Sequence, residues 1–342
     1  MIISFLLFAL MALTSLLSVQ KFFSYILPDR LDSYAIYAAF GAALIPVQLI
    51  LISVLSLVMS TITQTSVVFF EIFFYLGLLL LLYLTRNRKR ENSKYFKLSS
   101  LIIAVVPGLL IALLYTLVSF RSVAHDIYEY HFFGESLYQY RLFSFILDRY
   151  NPSNGFYFVG LHFPFYSYFT FTVGVVGDVA GVNMIKTPDY FKFLSGYYVG
   201  LYFSFFLAFF QSIALSKKQI YISFLFILTS IGFDWVISNI HIDSSRIFFI
   251  TSSYCFAYLF IVNPDRKYYY ILFLISTLLS ILIHSFGFIL GSFNLFVLFL
   301  LMRNFFSIKE ISLTLLLYFI FSSYYFINIL DNGWIFKSIR FY

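Results

Sequence analysis

Between Arg121 and His131 the chain gathers Arg121, His125, Asp126, Glu129 and His131. Only 11% of the protein is charged, so five ionisable groups at one spot mark a place for acid–base chemistry or binding. Asp126, Glu129 and Tyr130 follow an i, i+3, i+4 spacing that shares one face of a helix, and His125 joins Glu129 at i+4. A carboxyl group crowded by a second one beside a low-dielectric surface holds its proton more tightly, which suits a general base. The competing reading is a solvated start of an interfacial helix with Asp126 in its first turn.

Other candidates sit at the mouths of apolar runs. His241, Asp243 and Arg246 precede one run. The planar guanidinium of Arg246 matches phosphate oxygens, or Asp243 and Arg246 neutralise each other at a helix end. Arg121 directly follows a long apolar run, as a phosphate ligand or as a side chain snorkelling to the headgroups. His284-Ser285 closes another run, where the imidazole either orients an acceptor or is held structurally. His162, beside Phe163-Pro164, binds sugar or caps a turn. Asp126, Glu129 and His131 have the ligand types for a divalent ion, without a tight metal motif. There is no Gly-rich phosphate loop, zinc motif or nucleophile elbow, and GxxxG-like spacings are scattered and carry no reading of their own.

The elements that must position these residues follow from composition. The 342 residues are 61% hydrophobic, with a mean hydropathy of +0.91. Soluble domains lie nearer 45–50% apolar. Apolar runs of about 20 residues without strict alternation predict membrane-spanning helices rather than a barrel. The expected class is an all-α polytopic membrane protein with about ten to eleven transmembrane helices. Spans are predicted near 3–25, 36–60, 66–85, 99–120, 190–214, 220–238, 244–262, 268–284, 288–303 and 310–330. The first run reads as a span and not as a removed signal peptide. Residues 1–98 form an N-terminal scaffold whose one intramembrane charge is Glu71, and 99–342 form the catalytic region with an external loop 121–156.

Charge sets the orientation. Six of the 22 basic residues fall in Arg86–Lys97, a cytoplasmic loop by the positive-inside rule. With ten crossings, Lys217-Lys218, Arg266-Lys267, and Arg303 with Lys309 share that face. Region 156–189, with Pro164, Gly174, Gly177, Gly181 and Pro188, then dips in and returns or lies at the interface. The loop 121–155, the turn 239–246 and the turn 284–287 fall on the external face. Residues 126–149 form an amphipathic stripe for one or two helices on the membrane surface, ended by Asn151-Pro-Ser-Asn-Gly155. The net charge of +7 is explained by these loops and does not imply nucleic acid. Cys255 is the single cysteine, so no disulfide framework exists. An aromatic content of 23% fits interfacial belts and codon bias, or a carbohydrate-stacking surface.

From Arg121 the chain reads Arg121-Ser-Val-Ala-His125-Asp126-Ile-Tyr-Glu-Tyr130-His-Phe132. Further on, Arg246 opens an apolar run, Asn263-Pro-Asp-Arg-Lys267 forms a short basic loop, and the next run ends in His284-Ser285. This order over roughly 115–305 resembles the EpsG-type and Wzy-type polysaccharide polymerases, whose external loop opens with R…G-T-D-x-x-x-Y…F. Asp126 and Tyr130 keep that spacing, and Ala124-His125 stands where the family has Gly-Thr. A second resemblance joins His125-Asp126-x-x-Glu129-Tyr130 and His162-Phe-Pro164 to the acidic and Pro-aromatic motifs of GT-C glycosyltransferases with polyprenyl-monophosphate donors. Asp243 matches a further acid in those enzymes, and their common C-terminal soluble domain has no counterpart.

Both resemblances imply glycosyl transfer on the external face of a bacterial inner membrane, for O-antigen or exopolysaccharide. The polymerase resemblance implies a polyprenyl-diphosphate-linked glycan donor, a glycan acceptor, and a flippase and a chain-length regulator as partners. Arg121 and Arg246 are expected to hold the diphosphate, and Asp126 or Glu129 to take the acceptor proton, with His284 as the competing base. Tyr130, His125, His241, Asp243 and His162 would contact substrate. Arginines neutralising the diphosphate make a cofactor or metal unnecessary. The non-enzyme alternative is a lipid-linked oligosaccharide flippase. Charges near one face and the lack of a repeat argue against transport.

Overall fold

The computed structural model describes residues 2–26, 34–64, 67–85, 110, 189–213, 215–228, 242–283 and 285–332. Every regular element among them is helical: α1 (Ile2–Ile26), α2 (Tyr34–Thr63), α3 (Val67–Leu84), α4 (Asp189–Ser212), α5 (Lys217–Leu228), α6 (Ile242–Val262), α7 (Lys267–Ile283), α8 (Ser285–Leu301), a 3₁₀ turn (Arg303–Phe305) and α9 (Ile308–Asn332). The expected all-α class is therefore observed among the described residues. Among them no helix is long and apolar enough to cross a membrane. As backbone elements, α1 and α2 run to 25 and 30 residues.

The chain divides into two compact units, Met1–Asn151 with Phe169–Ser244, and Pro152–Tyr168 with Ser245–Tyr342. In the first, α1, α2 and α3 pack on one another and α4 packs on α2. Small residues make this packing close: Ala38, Ala39, Ala42 and Ala43 of α2 are fully buried. A Cβ on Gly41 would stand 3.3 Å from both Phe23 and Val19 of α1. At the C-terminal end of α3 the Lys21 ammonium donates to the Thr85 carbonyl at 2.9 Å. A cation there meets the carbonyls that the last helical turn leaves without donors.

α2 carries Pro46 in its interior. Proline has no N–H, so the carbonyl four residues earlier loses its helical donor. That carbonyl belongs to Ala42, and the Tyr197 hydroxyl of α4 donates to it at 2.8 Å. Tyr198 donates to the Ala43 carbonyl at 3.2 Å. Both tyrosines are buried, so the bonds stand in a site where water could not replace them.

In the second unit α7 and α8 form an antiparallel hairpin. A Cβ on Gly287 would lie 1.8 Å from the Ser280 carbonyl oxygen, and one on Gly291 would lie 3.0 Å from Ile281 and 3.2 Å from Thr277. Gly287-Phe-Ile-Leu-Gly291 is thus a GxxxG pattern on a helix–helix contact, where missing side chains let two backbones approach. This corrects the reading of such spacings as uninformative: sequence alone does not say which small-residue face is covered. α9 packs on α7. Asn294 of α8 donates to Ser253 of α6 at 3.3 Å. Ser292 of α8 and Tyr318 of α9 share a hydrogen bond of 2.6 Å.

This unit buries hydroxyl and amide side chains within an apolar core and exposes large apolar ones. Ser252, Ser253, Ser276, Thr277, Ser280, Asn294, Thr314 and Ser322 are buried. Phe293, Phe296 and Leu300 are about 60% exposed along one face of α8, as are Leu316 and Ile320 of α9 to only a slightly smaller degree. The rings of Phe248, Phe249, Phe256, Phe260 and Phe273 are buried beside these hydroxyls, most of which donate to a carbonyl of their own helix.

Candidate functional site

Asp243 and Arg246 stand three residues apart in the first turn of α6. Arg121, His125, Asp126, Glu129, Tyr130, His162, His241 and His284 lie outside the described residues. So do the side chains of Asp243 and Arg246, whose backbone alone is described.

The backbone register of the second unit still fixes where the start of α6 lies. The ends of α6 and α8 are joined through Phe306, in the segment after the 3₁₀ turn, whose ring lies 5.6 Å from Phe260 of α6 and 5.1 Å from Phe299 of α8. The two helices therefore run in the same direction, and α7 runs between them in the opposite one. The Asn294–Ser253 bond sets α8 against α6. Two turns back along each helix, about 10 Å at 1.5 Å per residue, lie Arg246 on α6 and Gly287 on α8. Counted in residues, Arg246 and the first turn of α8 thus lie equally far back along their helices from that bond.

The opposite end of the unit collects its cations. Lys267, the first residue of α7, pairs with Glu310 at 3.2 Å. It also donates to the Phe305 carbonyl, and its ammonium lies 5.3 Å from the Phe306 ring centroid. Glu310 accepts from the Ser307 backbone N–H at 2.8 Å and from its hydroxyl at 2.9 Å, and the Ser307 hydroxyl faces the Glu310 N–H at 3.3 Å. This is a capping box at the start of α9. The Ser307 N–H holds the Glu310 carboxyl below the usual range, helped by the Ser307 hydroxyl and Lys267 against a smaller opposing effect of burial. Ser216 and Gln219 make the same box at the start of α5, with Ser216 N–H to Gln219 Oε1 at 2.9 Å. The loops carrying Arg266-Lys267 and Arg303 to Lys309 therefore meet at one end, with Arg246 about 24 Å from that end of α6 along the helix.

Sequence reasoning missed the polar pairs that hold this arrangement. Asn294 and Ser253 look unremarkable within their apolar runs, and only their mutual contact shows that they set α8 against α6. No protein-family model matches the chain, and no curated protein and no solved structure is similar to it.

Proposed function

We propose that the chain is a bacterial inner-membrane glycosyltransferase that polymerises polyprenyl-diphosphate-linked glycan units on the external face. The membrane part of the reading is supported by the large apolar side chains exposed along α8 and α9, among them Phe293, Phe296, Leu300, Leu316 and Ile320. Lipid tails accept such a surface, while interhelical packing and hydrogen bonds hold the bundle together. The backbones of α1 and α2, at 25 and 30 residues, are long enough for a hydrocarbon layer of about 30 Å.

The single observation behind the catalytic part is the equal count of residues, along α6 and α8 from the Asn294–Ser253 bond, back to Arg246 and to the first turn of α8. In the proposed reaction an acceptor hydroxyl oxygen attacks the anomeric carbon of the donor. The bond from that carbon to the diphosphate oxygen breaks, and the electron pair leaves with polyprenyl diphosphate. Arg121 and Arg246 stabilise the charge that grows on this leaving group. Asp126 or Glu129 takes the hydroxyl proton, and His284 is the alternative acceptor of it. Tyr130, His125, His241, Asp243 and His162 line the sugar path.

Replacement of Arg246 or Asp126 by alanine in the producing cell tests the reading. A polymerase lesion leaves single repeat units on lipid at the outer leaflet and no ladder of longer products. Accumulation at the inner leaflet instead identifies a flippase. Transfer by purified protein is expected to persist in chelator, and strict dependence on a divalent ion would move the assignment to enzymes with monophosphate donors.

A further inference from the structure

Two connections lie side by side at the basic end of the second unit, joined by Lys267 through the Phe305 carbonyl and the Glu310 carboxylate. Arg266, which also donates to the Tyr268 hydroxyl, Arg303 and Lys309 belong to the same two connections, and the acids among the described residues of these connections are Asp265 and Glu310. Glu310 is already engaged by Ser307 and Lys267, so positive charge is in surplus. That surplus comes from side chains and not from the α9 N-terminus, whose exposed donors are met by the capping box. The same turn turns large apolar groups outward: Ile308 is 84% exposed, Leu301 64% and Phe305 45%. A soluble anion would use the cations and leave these groups in water. A layer of acidic headgroups over acyl chains would use both.

We propose that this end of the unit docks acidic phospholipid headgroups. Arg266, Arg303 and Lys309 contact the phosphates, while Ile308 and Phe305 enter the boundary with the acyl chains. The inference rests on the membrane part of the proposed function and not on its chemistry. Lys267 locks the two connections in register, so the three cations present one surface. Each cation is expected to contribute roughly five-fold to headgroup preference.

The test uses the full-length protein in nanodiscs and in detergent, with phosphatidylglycerol and phosphatidylcholine as probes. Native mass spectrometry is expected to show retention of phosphatidylglycerol over phosphatidylcholine, weakened by salt. In R266Q/R303Q/K309Q, which leaves Lys267 and Glu310 in place, that preference should fall at least ten-fold with the melting temperature little changed. Ile308→Ser should weaken retention of both lipids while keeping the preference. Unchanged preference in the triple variant overturns the proposal, as does equal displacement of the lipid by inorganic phosphate, which would mark a free-phosphate site. Carbonate extraction separates the two levels of failure. A chain that stays in the membrane without the preference refutes the docking surface alone, and a chain that is extracted refutes the membrane reading beneath it. Loss of glycosyl transfer with the preference intact refutes only the enzyme.

Discussion

The hydroxyl of Tyr197 donates to the carbonyl of Ala42 at 2.8 Å, four residues before Pro46. The proline removes the donor that this carbonyl has in an unbroken helix, and the tyrosine on a different helix replaces it. The relationship explains how an interior proline is tolerated at a buried contact. Tyr197→Phe should cost about 1–3 kcal/mol, the cost of leaving a buried acceptor without a donor. In a Pro46→Ala background the restored N–H takes the carbonyl, so the same change should cost well under half as much. Thermal unfolding of the four proteins in detergent measures this cycle; equal penalties in both backgrounds would show that the bond is incidental.

Three glycines should respond to alanine in a fixed order. At Gly287 the new Cβ would meet backbone, at 1.8 Å from the Ser280 oxygen, and the α7–α8 contact must separate. Loss of the folded protein is expected. At Gly291 the nearest atom, at 3.0 Å, is the Ile281 side chain, which can shift. The expected cost there is about 1–3 kcal/mol. Nothing lies within 4 Å of a Cβ on Gly77. Alanine there should gain about 0.5–1 kcal/mol through helix propensity. Melting temperatures in the order Gly77→Ala, wild type, Gly291→Ala, Gly287→Ala check the series, and a tolerated Gly287→Ala contradicts the observed packing.

The outer face of α8 separates lipid from water as its solvent. Phe293 and Phe296 are 61% and 62% exposed. If hydrocarbon covers them, lysine at either position costs about 2–3 kcal/mol, and membrane insertion of the chain should fall. If water covers them, the substitution is neutral and improves solubility. The yield of membrane-integrated protein for each variant decides between these outcomes.

Glu310 makes the basic end of the second unit sensitive to acid. Its carboxyl is held below the ordinary range chiefly by the Ser307 N–H. A depressed folded value means that the stabilisation is fully present above the unfolded value of about 4.3, and is lost as pH falls through the folded value. The gap in melting temperature between wild type and Glu310→Gln should therefore be constant near neutrality and close below about pH 4. Ser307→Ala should cost about 0.5–2 kcal/mol as a lost cap. A gap that stays open at pH 3 would assign the effect to packing.

The helical class was legible from apolar runs without alternation, and the common end of Arg266-Lys267 with Arg303 and Lys309 was legible from charge placement. In both cases a short local pattern carries the physics. The small-residue contact at Gly287 and Gly291, the tyrosine covering Ala42 and the bond between Asn294 and Ser253 were not legible. Each depends on which face of a helix meets which neighbour, and a helix that is apolar all round carries no local sign of that choice. The chain by itself nominates Arg121, Arg246, Asp126, Glu129 and His284, by type and spacing, as candidates for holding phosphate or taking a proton. Only the tertiary structure decided that α8 meets α6 at Asn294 and Ser253, because that contact joins residues far apart in sequence whose own apolar runs carry no local sign of it.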